Sequence, residues 1–170
     1  MQGRRVEPEH HDLVTIFFSD IVGYPPNLLT PKLMMEMLER LYHAIDSLAL
    51  HFNVFKVETI GDAYMAVTNL AADHVQRIAQ FAIAVIAAAD KIPIDELDLA
   101  CGTVKLRVGF HTGPVVANVN TASRMESNSL PGRIHCSKAT AALLARQACT
   151  LYPKPETLHL IRQRLKSSDS

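Results

Sequence analysis

The chain has 170 residues, 48% of them hydrophobic, and carries 17 basic and 17 acidic side chains. That length suits one domain with a full apolar core. A net charge of zero excludes a general pull toward nucleic acid or an anionic membrane, so any anion site must be local. The three cysteines, Cys101, Cys136 and Cys149, have neither disulfide parity nor metal-ligand spacing, which suits a reducing, cytoplasmic setting. Met1-Gln2-Gly3-Arg4-Arg5 lacks the apolar segment of a signal peptide. No apolar run reaches spanning length, so no direct membrane contact is expected from this segment.

Residues 13–18, LVTIFF, are apolar and β-branched or aromatic on both faces, the pattern of a buried central strand. Asp20 follows, then Gly23 and the Pro25-Pro26 pair. Thr30-Pro31 reads as a helix N-cap with proline at the first helical position. Leu33, Met37, Leu38, Leu41, Ile45, Leu48 and Phe52 keep a helical period, predicting an amphipathic helix over 31–52. A hairpin over 53–59 and 62–68 comes next, then a second helix over 72–91 with Pro93 beyond its end. Residues 103–111 read as a strand and 114–119 as its hairpin partner, with Gly113 in the turn. A short helix over 120–128, a strand over 133–136 and a helix over 137–147 follow. The tail from Thr150 holds a candidate edge strand near 157–161. The order β-α-β-β-α-β predicts an α+β, ferredoxin-like antiparallel sheet with helices on one face. The whole of 1–170 reads as a single domain, with a polar tail from about residue 162.

In that topology the first strand lies beside the central hairpin, so Asp20 and Asp62 could converge. Two such carboxylates repel unless a cation sits between them, and hard oxygen donors suit Mg²⁺ or Mn²⁺. Spacing alone equally allows two solvated turn residues. Glu58 alternates with Lys56, which places both on the open face if Phe55 and Val57 meet the helices. A plain Lys–Glu surface pair fits the same pattern. Asn120 and Arg124 stand four apart and share a helix face, a pairing that suits phosphate and ribose. Arg124 could instead pair with Glu126. The eight histidines show no metal spacing, and there is no nucleophile elbow or Walker-type glycine loop.

Together, VTIFFSDIVGY (14–24), KVETIGDAYM (56–65), VGFHTGPVVANV (108–119) and NTASRMES (120–127) closely resemble the class III nucleotide cyclase catalytic domain. The resemblance is to its guanylate cyclase branch and runs from about Val6 to Gln147. It implies that Asp20 and Asp62 hold two Mg²⁺ or Mn²⁺ ions, with the backbone carbonyl of Ile21 as a further ligand. It implies that Glu58 reads the guanine edge, where adenylate-type enzymes place Lys. Asn120 matches the residue that orients the ribose, and Arg124 the one that stabilises charge on the α-phosphate. Such domains are similar in forming head-to-tail dimers, with metal and base residues from one subunit and Asn and Arg from the other. The implied reaction is GTP to cyclic GMP and pyrophosphate in a homodimer, within a longer, regulated chain. Adenylate cyclase activity, or a non-catalytic regulatory subunit, are the alternatives.

The sequence departs from the family in three places. The loop over 24–29 is short and lacks the usual serines and threonines. After Val119 the family continues with a strand and a Gly-Asp turn carrying the second purine-reading residue, and here Asn120 follows directly. A strand ending at Val119 and a helix starting at Asn120 leave no connection, so a loop is expected to be missing between them. The tail lacks the glycine–lysine segment that binds the terminal phosphates, and Lys154 does not replace it.

Overall fold

The computed structural model describes residues 13–23, 30–68 and 73–147. The expectations for the loop over 24–29, Lys154, the strand near 157–161 and the polar tail lie outside the described residues.

Strand β1, Val14–Ile21, is buried on both faces as its composition predicts. Helix α1, Pro31–His51, starts where Thr30 Oγ1 accepts a hydrogen bond from the Leu33 amide at 3.3 Å, and it buries Met37, Leu41, Ile45 and Ala49. Strands β2, Phe55–Ile60, and β3, Ala63–Thr68, form a hairpin whose turn uses Gly61 at φ +63°. Helix α2, His74–Ala89, precedes strand β4, Leu106–Gly113. The sheet order is β2-β3-β1-β4, all antiparallel neighbours, which is the expected βαββαβ core. Strand β5, Arg133–Cys136, extends the sheet parallel to β4, and α4, Lys138–Gln147, follows it.

Phe17, Tyr64, Ala66, Val108 and Phe110 point to one face and pack against α1, α2 and Leu144 of α4. Phe17 meets Phe81 edge to face at 4.9 Å between centroids. At the end of β1 away from Asp20, Thr15 Oγ1 lies 2.8 Å from His74 Nδ1 and 2.9 Å from Thr112 Oγ1, so the polar side chains buried there satisfy one another.

The segment over 114–119 is not a strand. Helix α3 runs unbroken over Val115–Ser127, so the peptide continues from Val119 to Asn120 within one helix. Pro114 stands at its N-cap position. The helix packs on the opposite face of the sheet from α1 and α2, with Ala122 against Val14, Ile16, Phe18 and Met65. Gly109 makes that approach possible: a Cβ there would lie 1.9 Å from the Glu126 amide nitrogen. The β4–α3–β5 and β3–α2–β4 connections join parallel strands in the same direction across the sheet, yet their helices lie on opposite faces. The two therefore have opposite hands. One of them therefore departs from the right-handed rule that such crossovers follow in about 98% of cases.

Candidate functional site

Asp20 is the penultimate residue of β1 and continues the alternation of Val14, Ile16 and Phe18, so it faces the α3 side of the sheet. Its cross-strand partner is Arg107 of β4. Arg107 Nη2 donates to Asp20 Oδ2 at 2.7 Å, and Arg107 Nε donates to Glu126 Oε1 of α3 at 2.8 Å. Burial, and then the Asp62 and Glu126 carboxylates, raise the Asp20 pKa above its ordinary value despite Arg107. Asp62, in the β2–β3 turn, is thus an electrostatic neighbour of Asp20. The two acids share one corner of the sheet.

Tyr42 of α1 closes the corner from the helix side. Its hydroxyl donates to the Gly61 carbonyl at 2.8 Å, fixing the turn one residue before Asp62. Burial, then Asp62 and Asp20, push the Tyr42 pKa up to about 12, so the phenol is a proton donor at neutral pH. Asp46, one helical turn on, accepts from Lys56 Nζ at 2.9 Å and from Tyr64 Oη at 2.8 Å. The hairpin is thereby tied to α1 at three points.

Lys56 and Glu58 do not share the open face. The β2–β3 register shifts between them, leaving Val57 as a bulge. Lys56 lies opposite Ala66 on the α1 side, whereas Glu58 lies opposite Met65 on the α3 side, with Asp20. Phe55 is 51% exposed and Val57 49%, so neither meets the helices. All six residues of β2 are exposed, as befits an edge strand.

On α3 the buried stripe is Asn118, Ala122 and Glu126, spaced four apart. Asn120 and Arg124 occupy the opposite, exposed side. The structure brings these two together on one helix face but turns that face away from the Asp20–Asp62 corner of the same chain. Arg124 makes no ion pair among the described residues, and Glu126 bonds Arg107 instead. The Ile21 side chain is buried in the α1–α2 core, so only its main-chain groups remain to face the corner.

Among the described residues no three His, Cys, Asp or Glu side chains form a metal cluster. Asp20 and Asp62 nevertheless fit a hard divalent cation by donor chemistry, since each is an oxygen donor and their mutual repulsion is what such an ion relieves. Arg107 is the competing cation at Asp20.

Sequence reasoning did not single out Arg107, Tyr42 or Asp46, and named Glu126 only as an alternative partner of Arg124. Arg107 stands at a position where an alternating strand carries a polar residue anyway, and Tyr42 and Asp46 lie on the polar margin of an amphipathic helix. The one readable signal was Glu126, four residues after Ala122 on a helix face.

The family model for the adenylate and guanylate cyclase catalytic domain matches residues 6–119 and 117–158. The chain is 44% identical to guanylate cyclase 2G of Mus musculus over 165 residues, 84% of the chain and 15% of the relative. The chain therefore spans about 15% of the length of the curated relatives it matches. Its 84%, about 143 residues, extends over 165 aligned positions, so about 22 positions of the relative have no counterpart here. Among solved structures it is similar to a non-canonical dimeric guanylyl cyclase domain of the RhoGC fusion protein from Blastocladiella emersonii. That match has TM-score 0.73 and 33% identity, covering 81% of this chain and 86% of that one. It is also similar to the guanylate cyclase domain of RhGC from Catenaria anguillulae in complex with GTP. There the TM-score is 0.72 and the identity 33%, covering 80% and 84%.

Proposed function

Because the chain belongs to the adenylate and guanylate cyclase catalytic domain family, we propose that it is a guanylate cyclase domain that converts GTP to cyclic GMP and pyrophosphate. The observation that carries this reading is the two-sided arrangement of its polar residues. Asp20 and Glu58 share a face, with Asp62 at their corner, while Asn120 and Arg124 point away from it. One copy cannot bring both sets to one substrate. A head-to-tail pair of copies does so twice, giving two composite sites in a homodimer.

In this reading Glu58 accepts hydrogen bonds from the guanine N1–H and 2-amino group. Asn120 of a second copy orients the ribose, and its Arg124 meets the charge that grows on the α-phosphate oxygens. The 3′-hydroxyl releases its proton to solvent and its oxygen bonds to the α-phosphorus, the bond from that phosphorus to the bridging oxygen breaks, and pyrophosphate leaves with that electron pair. Asp20, Asp62 and the Ile21 carbonyl would hold two Mg²⁺ or Mn²⁺ ions, which when bound acidify the 3′-hydroxyl and neutralise the phosphates. Arg124 acts as a preorganised donor, worth roughly 3–4 kcal/mol in comparable sites. The small share of its relatives that the chain spans supports a place in the cytoplasmic part of a longer, regulated chain.

One observation favours a second reading, a cyclase-fold chain that binds nucleotide without turnover: about 22 positions of the relative are absent here. Incubation of the purified protein with Mn²⁺ and either GTP or ATP, followed by assay of cyclic product, separates the cases. Cyclic GMP alone supports the proposal, and cyclic AMP reassigns the substrate. No product from either nucleotide leaves the second reading.

A further inference from the structure

Arg107 is shared between two carboxylates from different elements, and the sharing is uneven. Its Nη2 meets Asp20 Oδ2 at 2.7 Å, while its Nε edge is taken by Glu126 Oε1 at 2.8 Å. Glu126 is the most enclosed of the three, its side chain 9% exposed against 22% for Asp20 and 28% for Arg107. Its other oxygen accepts from Ser127 Oγ at 3.1 Å, so the carboxylate is held in place on α3. A guanidinium free to turn would present two parallel N–H groups to Asp20 and occupy both oxygens. Here it cannot, and Asp20 Oδ1 accepts no hydrogen bond from a described residue and is not sealed from solvent. Asp20, Asp62 and Glu126 set against Arg107 leave two negative charges at the corner, the charge of one divalent cation.

We infer that Glu126 is a positioning residue: by holding Arg107 edge-on it keeps Asp20 half free for a divalent cation. The inference rests on the reading of the Asp20–Asp62 corner as a cation site. It assigns to α3 a role in its own chain's half-site, separate from that of Asn120 and Arg124.

The test is Mn²⁺ binding to the full chain without nucleotide, followed by the electron paramagnetic resonance of free Mn²⁺, with a thermal melt of each variant. Glu126→Gln lets Arg107 close on Asp20 and removes one negative charge, so affinity is expected to fall about three- to tenfold. Glu126→Asp, which keeps the charge, should stay within about twofold of the parent. Arg107→Met removes the competitor and should raise affinity about threefold or more. In the Arg107→Met background the Glu126→Gln effect should shrink to about twofold or less, because its route through Arg107 is gone. Unchanged affinity in Glu126→Gln overturns the inference, as does an undiminished effect in the double variant. If Glu126→Gln does not fold, Arg107→Met decides alone, and affinity at or below that of the parent overturns the inference. Binding that survives both Asp20→Ala and Asp62→Ala refutes the underlying cation site itself, an outcome distinct from the others.

Discussion

Lys56 and Glu58 are two residues apart on one strand and face opposite sides of the sheet. Lys56 reaches Asp46 on α1 at 2.9 Å, while Glu58 stands across from Met65 on the side of Asp20. The bulge at Val57 separates a charge tied to α1 from the one proposed to read the base. Exchanging each should have different consequences. Glu58→Lys is expected to lower kcat/KM for GTP by at least about 100-fold, because a buried donor edge of guanine loses its acceptor. Lys56→Met should cost about 0.2–1 kcal/mol of stability, the worth of a half-exposed pair, and leave the GTP-to-ATP preference alone. Steady-state kinetics with both nucleotides and a urea titration check the pair. Unchanged GTP kinetics in Glu58→Lys would remove Glu58 from base reading.

The seat of α3 depends on Gly109. Gly109→Ala puts a methyl group into the helix backbone at Glu126, which must move bodily rather than rotate away. A loss of about 3 kcal/mol is expected, at the upper end for overpacking. Chemical denaturation measures it, and a change under about 1 kcal/mol would mean that α3 does not press on β4 as described.

The two outward and inward sets should complement one another. Asp62→Ala and Arg124→Ala should each be inactive as homodimers while melting like the parent. Mixed in equal amounts and allowed to exchange, they should regain about a quarter of parental turnover, since half the dimers then hold one intact site of two. A mixture that stays inactive would count against composite sites.

Stability should decline on mild acidification. Burial, reinforced by Arg77 and opposed by Asp73, lowers the pKa of His74, and burial lowers that of His111. The unfolded chain, with histidines near their ordinary 6.5, then binds protons that the folded chain refuses. Stability is therefore full above that value and falls as pH drops below it, at most about 1.4 kcal/mol per unit for each histidine. Melting temperatures from about pH 8 to 5.5 should show the decline, and His74→Gln should flatten part of it. An unaltered slope in that variant would show that His74 titrates normally.

Most of the architecture could be read from periodicity. The helix expected over 31–52 is Pro31–His51, and the one expected over 72–91 is His74–Ala89, because both carry apolar stripes with clear boundaries. The exception is α3. Val115, Val116 and Val119 favour a strand locally, and the inward stripe of Asn118, Ala122 and Glu126 is two-thirds polar, so no hydrophobic period announces a helix. Burial against Gly109 and the hydrogen bond from Asn118 Nδ2 to the Val14 carbonyl, 3.4 Å, override the propensity. For the site, residue types and order were enough to name Asp20, Asp62, Glu58, Asn120 and Arg124 as candidates. The bulge that turns Glu58, and the clasp of Arg107 by Glu126, are register and tertiary facts that no local pattern encodes.

The junction of β4 with α3 consists of Pro114 alone, between Gly113 and Val115. One residue spans at most about 3.6 Å, so the joint has no slack. Helix α3 cannot swing on its strand as a lid would; it moves only as the sheet moves. Within one chain the span from Asp20 to Arg124 is thus a fixed length. In the proposed composite site, opening or closing would then come from rolling one copy against the other as a rigid body.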